Sequence, residues 1–253
     1  MRIFLKTEDE IVLLRAASQL ATRALIEVGR HVVPRLALSH LRNKVVNAVM
    51  RTVPTESNSG KEALSSDTEF TFFVNGAYIE PSLEGECMLC EGDWLTVNCW
   101  VCLNGYYSFG AHTFIVGSSQ DDEPMISTLR DMLRQVVRRA SAGHSIKEMS
   151  RTVYSLHSHD PYVLQKTFGH GVGRNRVENP ILPMNPGVND TVLLKEGMCL
   201  VIALAFKHGR SHFIKPRLMH ESTFHNPFVP FGTTVVVRPG RPEILTSFET
   251  IVK

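Results

Sequence analysis

Apolar residues recur at Ile11, Leu14, Ala17, Ala21, Ala24, Leu25 and Val28. That is the spacing of one helical face, so a long amphipathic helix is predicted near the start of the chain. Just before it, Thr7-Glu8-Asp9-Glu10 has the form of a capping box, in which a hydroxyl and a carboxylate satisfy backbone N–H groups reciprocally. Pro34 ends this helix, and a second is expected from about Ser39 to Met50. The polar stretch from Pro54 to Asp67 reads as a loop. The pattern then shortens to strand-like runs at Phe70 to Val74, Trp94 to Leu103 and Tyr106 to Val116. Between the last two lies Asn104-Gly105, the pair favoured in a type I′ hairpin turn because both central residues need positive φ.

The order then repeats. A helix begins near Asp122 with Pro124 in its first turn and continues past Arg138. Gly143 breaks it, and Ser145-Ile146-Lys147-Glu148 caps another helix reaching about Leu156. Strand-like runs follow at Cys199 to Phe206, at His212 to Ile214 after a turn at His208-Gly209, at Val235 to Val237, and at Ile244 to Leu245. Two rounds of helix, helix and antiparallel strands predict an α+β protein with internal pseudo-symmetry, its halves about 1–117 and 118–253. No Gly-, Ser- or Pro-rich linker separates them, so one domain over 1–253 with a shared sheet is expected.

Composition narrows the function classes. A net charge of +2 is too small to mark a nucleic-acid binder by itself. No apolar run is long enough for a membrane span, so no membrane partner is expected. The N-terminal residues meet acidic side chains at once and lack the features of a leader, and an odd number of cysteines favours free thiols in a reducing compartment. A cytoplasmic protein is the expectation. From Asp160 onward eleven Lys and Arg face seven Asp and Glu, a surplus that hints at an anionic partner.

Three constellations could carry chemistry. Cys87-x-x-Cys90 and Cys99-x-x-Cys102 have the outline of a zinc site. Yet Cys99 and Cys102 lie on one strand, where residues three apart point to opposite faces. Buried, structural cysteines are therefore the favoured reading. The cluster Gly169-His170-Gly171-Val172-Gly173 lacks the Lys-Ser/Thr of a phosphate loop, so its glycines more plausibly let the backbone pass close to something. His208, His212, His220 and His225 have no neighbouring carboxylate to serve as a base, and no Gly-x-Ser-x-Gly elbow is present.

Three segments taken together resemble the type I methionine aminopeptidases. They are Leu103-Asn104-Gly105-Tyr106 through Thr113-Phe114-Ile115-Val116-Gly117; Gly169-His170-Gly171-Val172-Gly173-Arg174 with Glu178-Asn179-Pro180; and Leu194-Lys195-Glu196-Gly197-Met198. Lys6 to Ile11 and Pro242-Glu243-Ile244-Leu245 match as well. The resemblance implies the pita-bread fold of peptidase family M24, two helix–helix–strand halves around a curved antiparallel sheet. It also implies a site in which two divalent metals, held by two aspartates, a histidine and two glutamates, activate a shared water.

Carried onto this chain, those five ligand positions fall on Asn98, Phe109, His170, Ala203 and Gly232, and only the histidine is kept. Two accessory histidines of the family fall on Glu80 and Val177. An Asn, a Phe, an Ala and a Gly offer almost no oxygen donors for hard cations. No catalytic residue, metal or other cofactor is therefore expected. The lone His170 is read as structural, its imidazole bonded to nearby backbone. The expectation is a pseudoenzyme whose former cleft binds a protein or peptide segment. A second reading is a ribosomal or RNA partner, with Arg174, Arg176, Lys207, Arg210, Lys215 and Arg217 as candidate anion or partner contacts; Arg174, Arg176 and Glu178 could instead form a salt-bridged rim. The alternative is a metal-dependent aminopeptidase that removes N-terminal methionine with an atypical site.

Overall fold

The computed structural model describes residues 2–53, 64–117, 124–157, 167–187, 192–207, 228–247 and 251. Helix α1 (Glu8–His31) starts at Thr7, whose hydroxyl accepts from the Glu10 N–H while the Glu10 carboxylate accepts from the Thr7 N–H, the capping box expected from sequence. Such a cap contributes about 1 kcal/mol. Helix α2 (Leu38–Thr52) lies against it, and α3 (Pro124–Arg138) and α4 (Ile146–His157) form the second pair. At the start of α4, Ser145 and Glu148 exchange the same two bonds.

Among the described residues nine strands form one antiparallel sheet: β1 (Glu69–Val74), β2 (Ala77–Ile79), β3 (Trp94–Leu103), β4 (Tyr106–Ile115), β5 (Thr167–Gly171), β6 (Glu178–Pro183), β7 (Cys199–Lys207), β8 (Phe228–Val236) and β9 (Glu243–Ile244). Their order is β2-β1-β3-β4-β8-β7-β5-β6, with β9 on β8. The α+β architecture expected from sequence is what the structure has. Asn104 and Gly105 take φ of 51° and 75°, the positive pair that the β3–β4 hairpin requires.

Each half carries its own core. Leu14 and Leu25 of α1 are fully or nearly fully buried, and Leu41 and Val45 of α2 pack with Phe72, Val97, Cys99 and Val101 of the sheet. In the second half Ile126, Leu129 and Leu133 of α3 and Met149 of α4 pack on Leu200, Ile202, Leu204 and Phe231. Burying one such side chain contributes about 1.5–3 kcal/mol. A third cluster spans the junction and includes Ile11, Leu14, Tyr106, Phe109, Val172, Val201 and Val236.

Several expectations are revised. Strand β2 follows a second Asn-Gly turn, Asn75-Gly76, at φ of 52° and 81°. Strands β5 and β6 fall in segments whose glycines and prolines argue against strands. Strand β8 begins seven residues before the run at Val235, although it contains Pro230 and Gly232. Cys87, Cys99, Cys102 and Cys199 are buried, but Cys90 is exposed, because its position after the Ala37–Met88 bridge places it on an outer turn. The turn at His208-Gly209 and the run His212 to Ile214 lie outside the described residues, as does the polar loop up to Lys61 and beyond it to Ala63.

Candidate functional site

Residues directly opposite one another in an antiparallel ladder project from the same face. Along β1, β3, β4, β8 and β7 one row therefore reads Thr71, Asn98, Ala111, Gly232, Ala203. In neighbouring rows Trp100 sits opposite Phe109, and His170 opposite Val201. The other face of these strands packs under the helices, through Val97, Cys99, Val101, Ile202 and Leu204. Asn98, Phe109, His170, Ala203 and Gly232, five positions far apart in sequence, are thus gathered on the face away from the helices.

Phe109 dominates that face. Its ring edge lies so close to Gly232 that a Cβ there would stand 2.6 Å from Phe109 Cε1 and 3.1 Å from the Ala203 Cβ. The strand is pinned beneath the ring: the Phe109 N–H donates to Thr234 Oγ1 (2.9 Å), and the Thr234 hydroxyl donates back to the Phe109 carbonyl (2.9 Å). Thr246 donates to the same carbonyl, and the Ser108 hydroxyl bonds Ser18, Thr234 and Thr246. Trp100 packs on Phe109 with ring centroids 4.8 Å apart and on His170 at 6.1 Å, nearly parallel at 8°.

His170 is half-buried. Its Nδ1 lies 2.8 Å from the Gly171 carbonyl, so that nitrogen carries the proton and donates. Burial holds its pKa below the ordinary histidine value, partly opposed by the Gly171 bond, which leaves a neutral ring near pH 7. The backbone bond expected from sequence is present, on a strand and not in a turn. Asn98 Oδ1 is buried without a hydrogen-bond partner. The flanking glycines permit close backbone approach, as expected: a Cβ at Gly169 would meet Val201 O at 2.1 Å, and one at Gly171 would meet Asn179 O at 2.4 Å.

The rim is built from both halves. Arg176 donates to Glu69 Oε2 (2.8 Å) and to the Asp67 carbonyl, and its guanidinium lies 5.7 Å from Trp100 and 5.9 Å from Tyr107. Arg174 lies 4.8 Å from the Tyr106 ring and 3.9 Å from Glu10, and it stays largely exposed. Glu178 differs from the rim residue expected: it is buried against Lys6 at 2.6 Å, both side chains 5% exposed. Arg176 lies before β6, whereas Glu178 opens the strand on the face it shares with the buried Pro180 and Leu182. Glu80, just beyond β2, and Val177 are exposed. The Lys207 side chain, Arg210, Lys215, Arg217 and the histidines at 208, 212, 220 and 225 lie outside the described residues.

Around the five positions this face offers the Asn98 amide oxygen, the Thr71 hydroxyl, the neutral His170 imidazole and the rings of Trp100 and Phe109; the Glu69 carboxylate, opposite Trp100, is engaged by Arg176. Among the described residues no group of three or more His, Cys, Asp or Glu is placed to hold a metal ion. Trp100 was not singled out from sequence, although strand alternation puts it two residues from Asn98 on the same face. Lys6 with Glu178, and Arg176 with Glu69, join segments more than a hundred residues apart, and no local signal announces them.

The profile of metallopeptidase family M24 matches residues 12–238. The methionine aminopeptidase of Clostridium perfringens is 26% identical over 248 residues, covering 96% of this chain and 98% of that protein. The methionine aminopeptidase of Helicobacter pylori strain 26695 is 29% identical over 220 residues, covering 83% and 85%. Among solved structures, the methionine aminopeptidase of Thermotoga maritima superposes with a TM-score of 0.78 at 22% identity, covering 97% of this chain and all of that one. The prolidase of Pyrococcus furiosus superposes at 0.72 and 19% identity, covering 97% of this chain and 66% of its own.

Proposed function

Because this chain belongs to metallopeptidase family M24, we propose that it is a non-catalytic member, similar to the methionine aminopeptidases, whose cleft holds a segment of a partner protein. One observation carries the reading: the Phe109 ring packs directly on Gly232, which faces Ala203 across the ladder, on the same sheet face as Asn98 and His170. By the resemblance these are the five positions that would ligate two divalent ions. The residues present do not fit such a pair. Hard cations need several oxygen donors, mostly anionic; the five positions supply one neutral amide oxygen, and the Glu69 carboxylate on the same face is paired with Arg176. A carboxylate at 232 would have to displace the ring that occupies the space around it.

The face that remains suits an uncharged or weakly polar segment. Trp100 and Phe109 offer apolar area, and small residues at 111, 203 and 232 leave the floor low.

The test pairs metal content with peptide binding. After incubation with Mn, Co, Fe or Zn and gel filtration, the protein should retain none at stoichiometric level and leave Met-Ala-Ser uncleaved. Trp100 supplies the binding signal: in a Trp94→Phe background it is the only tryptophan, and peptides that enter the cleft should change its fluorescence. Stoichiometric metal together with cleavage of Met-Ala-Ser would overturn the proposal in favour of an aminopeptidase with an atypical site.

A further inference from the structure

We infer that the end of the molecule around the α3–α4 turn is a docking surface for the phosphate backbone of a single-stranded nucleic acid. The inference does not depend on what the cleft binds. Backbone hydrogen bonds sew three segments together there. Ala142 N–H donates to Arg238 O, Gly143 N–H to Leu194 O, Leu194 N–H to His144 O and Ile146 N–H to Val192 O. This stitching brings Arg138 and Arg139 at the end of α3, Lys147 and Arg151 of α4, Lys195 and Arg241 to one end of the fold.

None of these six cations has an ion pair or side-chain hydrogen bond among the described residues. All are exposed except Lys147, which is half-buried. The nearby carboxylates among the described residues are already engaged. Glu148 takes the Ser145 N–H and hydroxyl and faces His144 at 3.6 Å, Asp131 pairs with Arg134 at 2.7 Å, and Glu196 lies 3.7 Å from Arg238.

Internal stability does not account for the cluster. The C-terminal dipole of α3 favours Arg138 and Arg139, but its effect fades within a turn and does not reach Arg241 or Lys195. Lys147 stands in the first turn of α4, where the dipole disfavours a cation. An external anion explains both.

Two features select the partner. Four of the six cations are arginines, whose planar fork pairs with phosphate oxygens two bonds at a time. Tyr154, 58% exposed, lies on the same face of α4 as Lys147 and Arg151, at helical spacings of seven and three residues. An exposed ring set among cations is the arrangement that stacks an unpaired base while the backbone is held electrostatically. An acidic protein partner would call for a larger apolar centre than Leu193 and Tyr154 provide.

The test is fluorescence anisotropy with labelled oligouridine, oligothymidine and polyglutamate, measured between about 50 and 200 mM salt, where phosphate contacts have their largest effect. Log affinity for oligouridine should fall linearly with log salt, by about 0.7 per phosphate contacted. The variant Arg138→Ser/Arg139→Ser/Lys195→Ser/Arg241→Ser, with unchanged circular dichroism and melting, should have a slope shallower by about 3. Tyr154→Ala should weaken binding about 5- to 150-fold and leave the slope alone. Equal binding of oligothymidine would support phosphodiester recognition common to RNA and DNA, and a preference for oligouridine would support RNA as the source. Absence of binding at low salt, an unchanged slope in the quadruple variant, or polyglutamate binding as tightly as oligouridine would each overturn the inference.

Discussion

Replacing Gly232 by Ala offers a stringent test of how the cleft floor is built, because two opposing terms can be separated. In an ordinary strand the substitution would stabilise by about 0.4–1 kcal/mol, since alanine has less freedom to lose on folding. Gly232 has no positive φ to oppose that gain. Here the added methyl would stand 2.6 Å from Phe109 Cε1, 3.3 Å from Cδ1 and 3.1 Å from the Ala203 Cβ. The ring cannot retreat easily, as Trp100 packs against it and its backbone is held by Thr234 and Thr246. Overpacking of this kind costs about 1–3 kcal/mol, so Gly232→Ala should destabilise by about 1–2 kcal/mol. Phe109→Ala alone should cost about 3 kcal/mol, the low end for such a truncation because the ring lines a cleft. In the double variant the new methyl meets no ring, so the effect of Gly232→Ala should vanish or reverse, giving a coupling of about 2 kcal/mol. Urea unfolding followed by circular dichroism measures all four corners of the cycle. Additive effects within about 0.5 kcal/mol would show that the two residues do not contend for the same space.

Further predictions concern charge, pH and thiols. Lys6→Ala should destabilise by about 3–5 kcal/mol, because Glu178 would be left as a buried charge without its partner, and Lys6→Met/Glu178→Leu should recover most of the loss in thermal melting. His170 has a folded-state pKa below its unfolded value, so its neutral form contributes stability that is complete above about pH 6.5 and is lost as pH falls through the folded pKa. The difference in unfolding free energy between pH 8 and pH 5 should therefore shrink in His170→Gln, and an unchanged difference would refute the assignment. Of the five free thiols, Cys90 alone is exposed, while burial raises the Cys87 thiol to about 11 and Cys199 to about 12. A disulfide reagent should label one thiol rapidly in the native protein and all five in denaturant; two or more rapid equivalents would contradict the fold around Cys87.

How far the sequence reaches differs between fold and site. The hairpin β3–β4 was legible to the residue because Asn104-Gly105 leaves the backbone little choice, and the capping boxes at Thr7 and Ser145 marked two helix starts. The same Asn-Gly signal at Asn75-Gly76 preceded a strand of only three residues, too short for alternation to show. Strands β5 and β6 were hidden because Gly169 and Gly171 serve close contacts across the sheet, a demand set by Val201 and Asn179 and invisible locally. At the site, counting from the turn placed Asn98 and Phe109, and the ladder then brought His170, Ala203 and Gly232 beside them. The contact of the ring with Gly232 is a property of register between β4 and β8, which no periodicity encodes.

That junction of β4 and β8 has a mechanical consequence. Most of each half's core is its own, and one apolar cluster that includes Phe109 crosses the junction. On the helix side of the facing strands Ser18, Ser108, Thr234 and Thr246 share hydroxyl hydrogen bonds. Hydroxyls resist sliding because their bonds are directional, yet they lose little when water replaces them. Under tension applied along the strands, the molecule should part on this line first, releasing two half-shells that each still hold their helices against their strands.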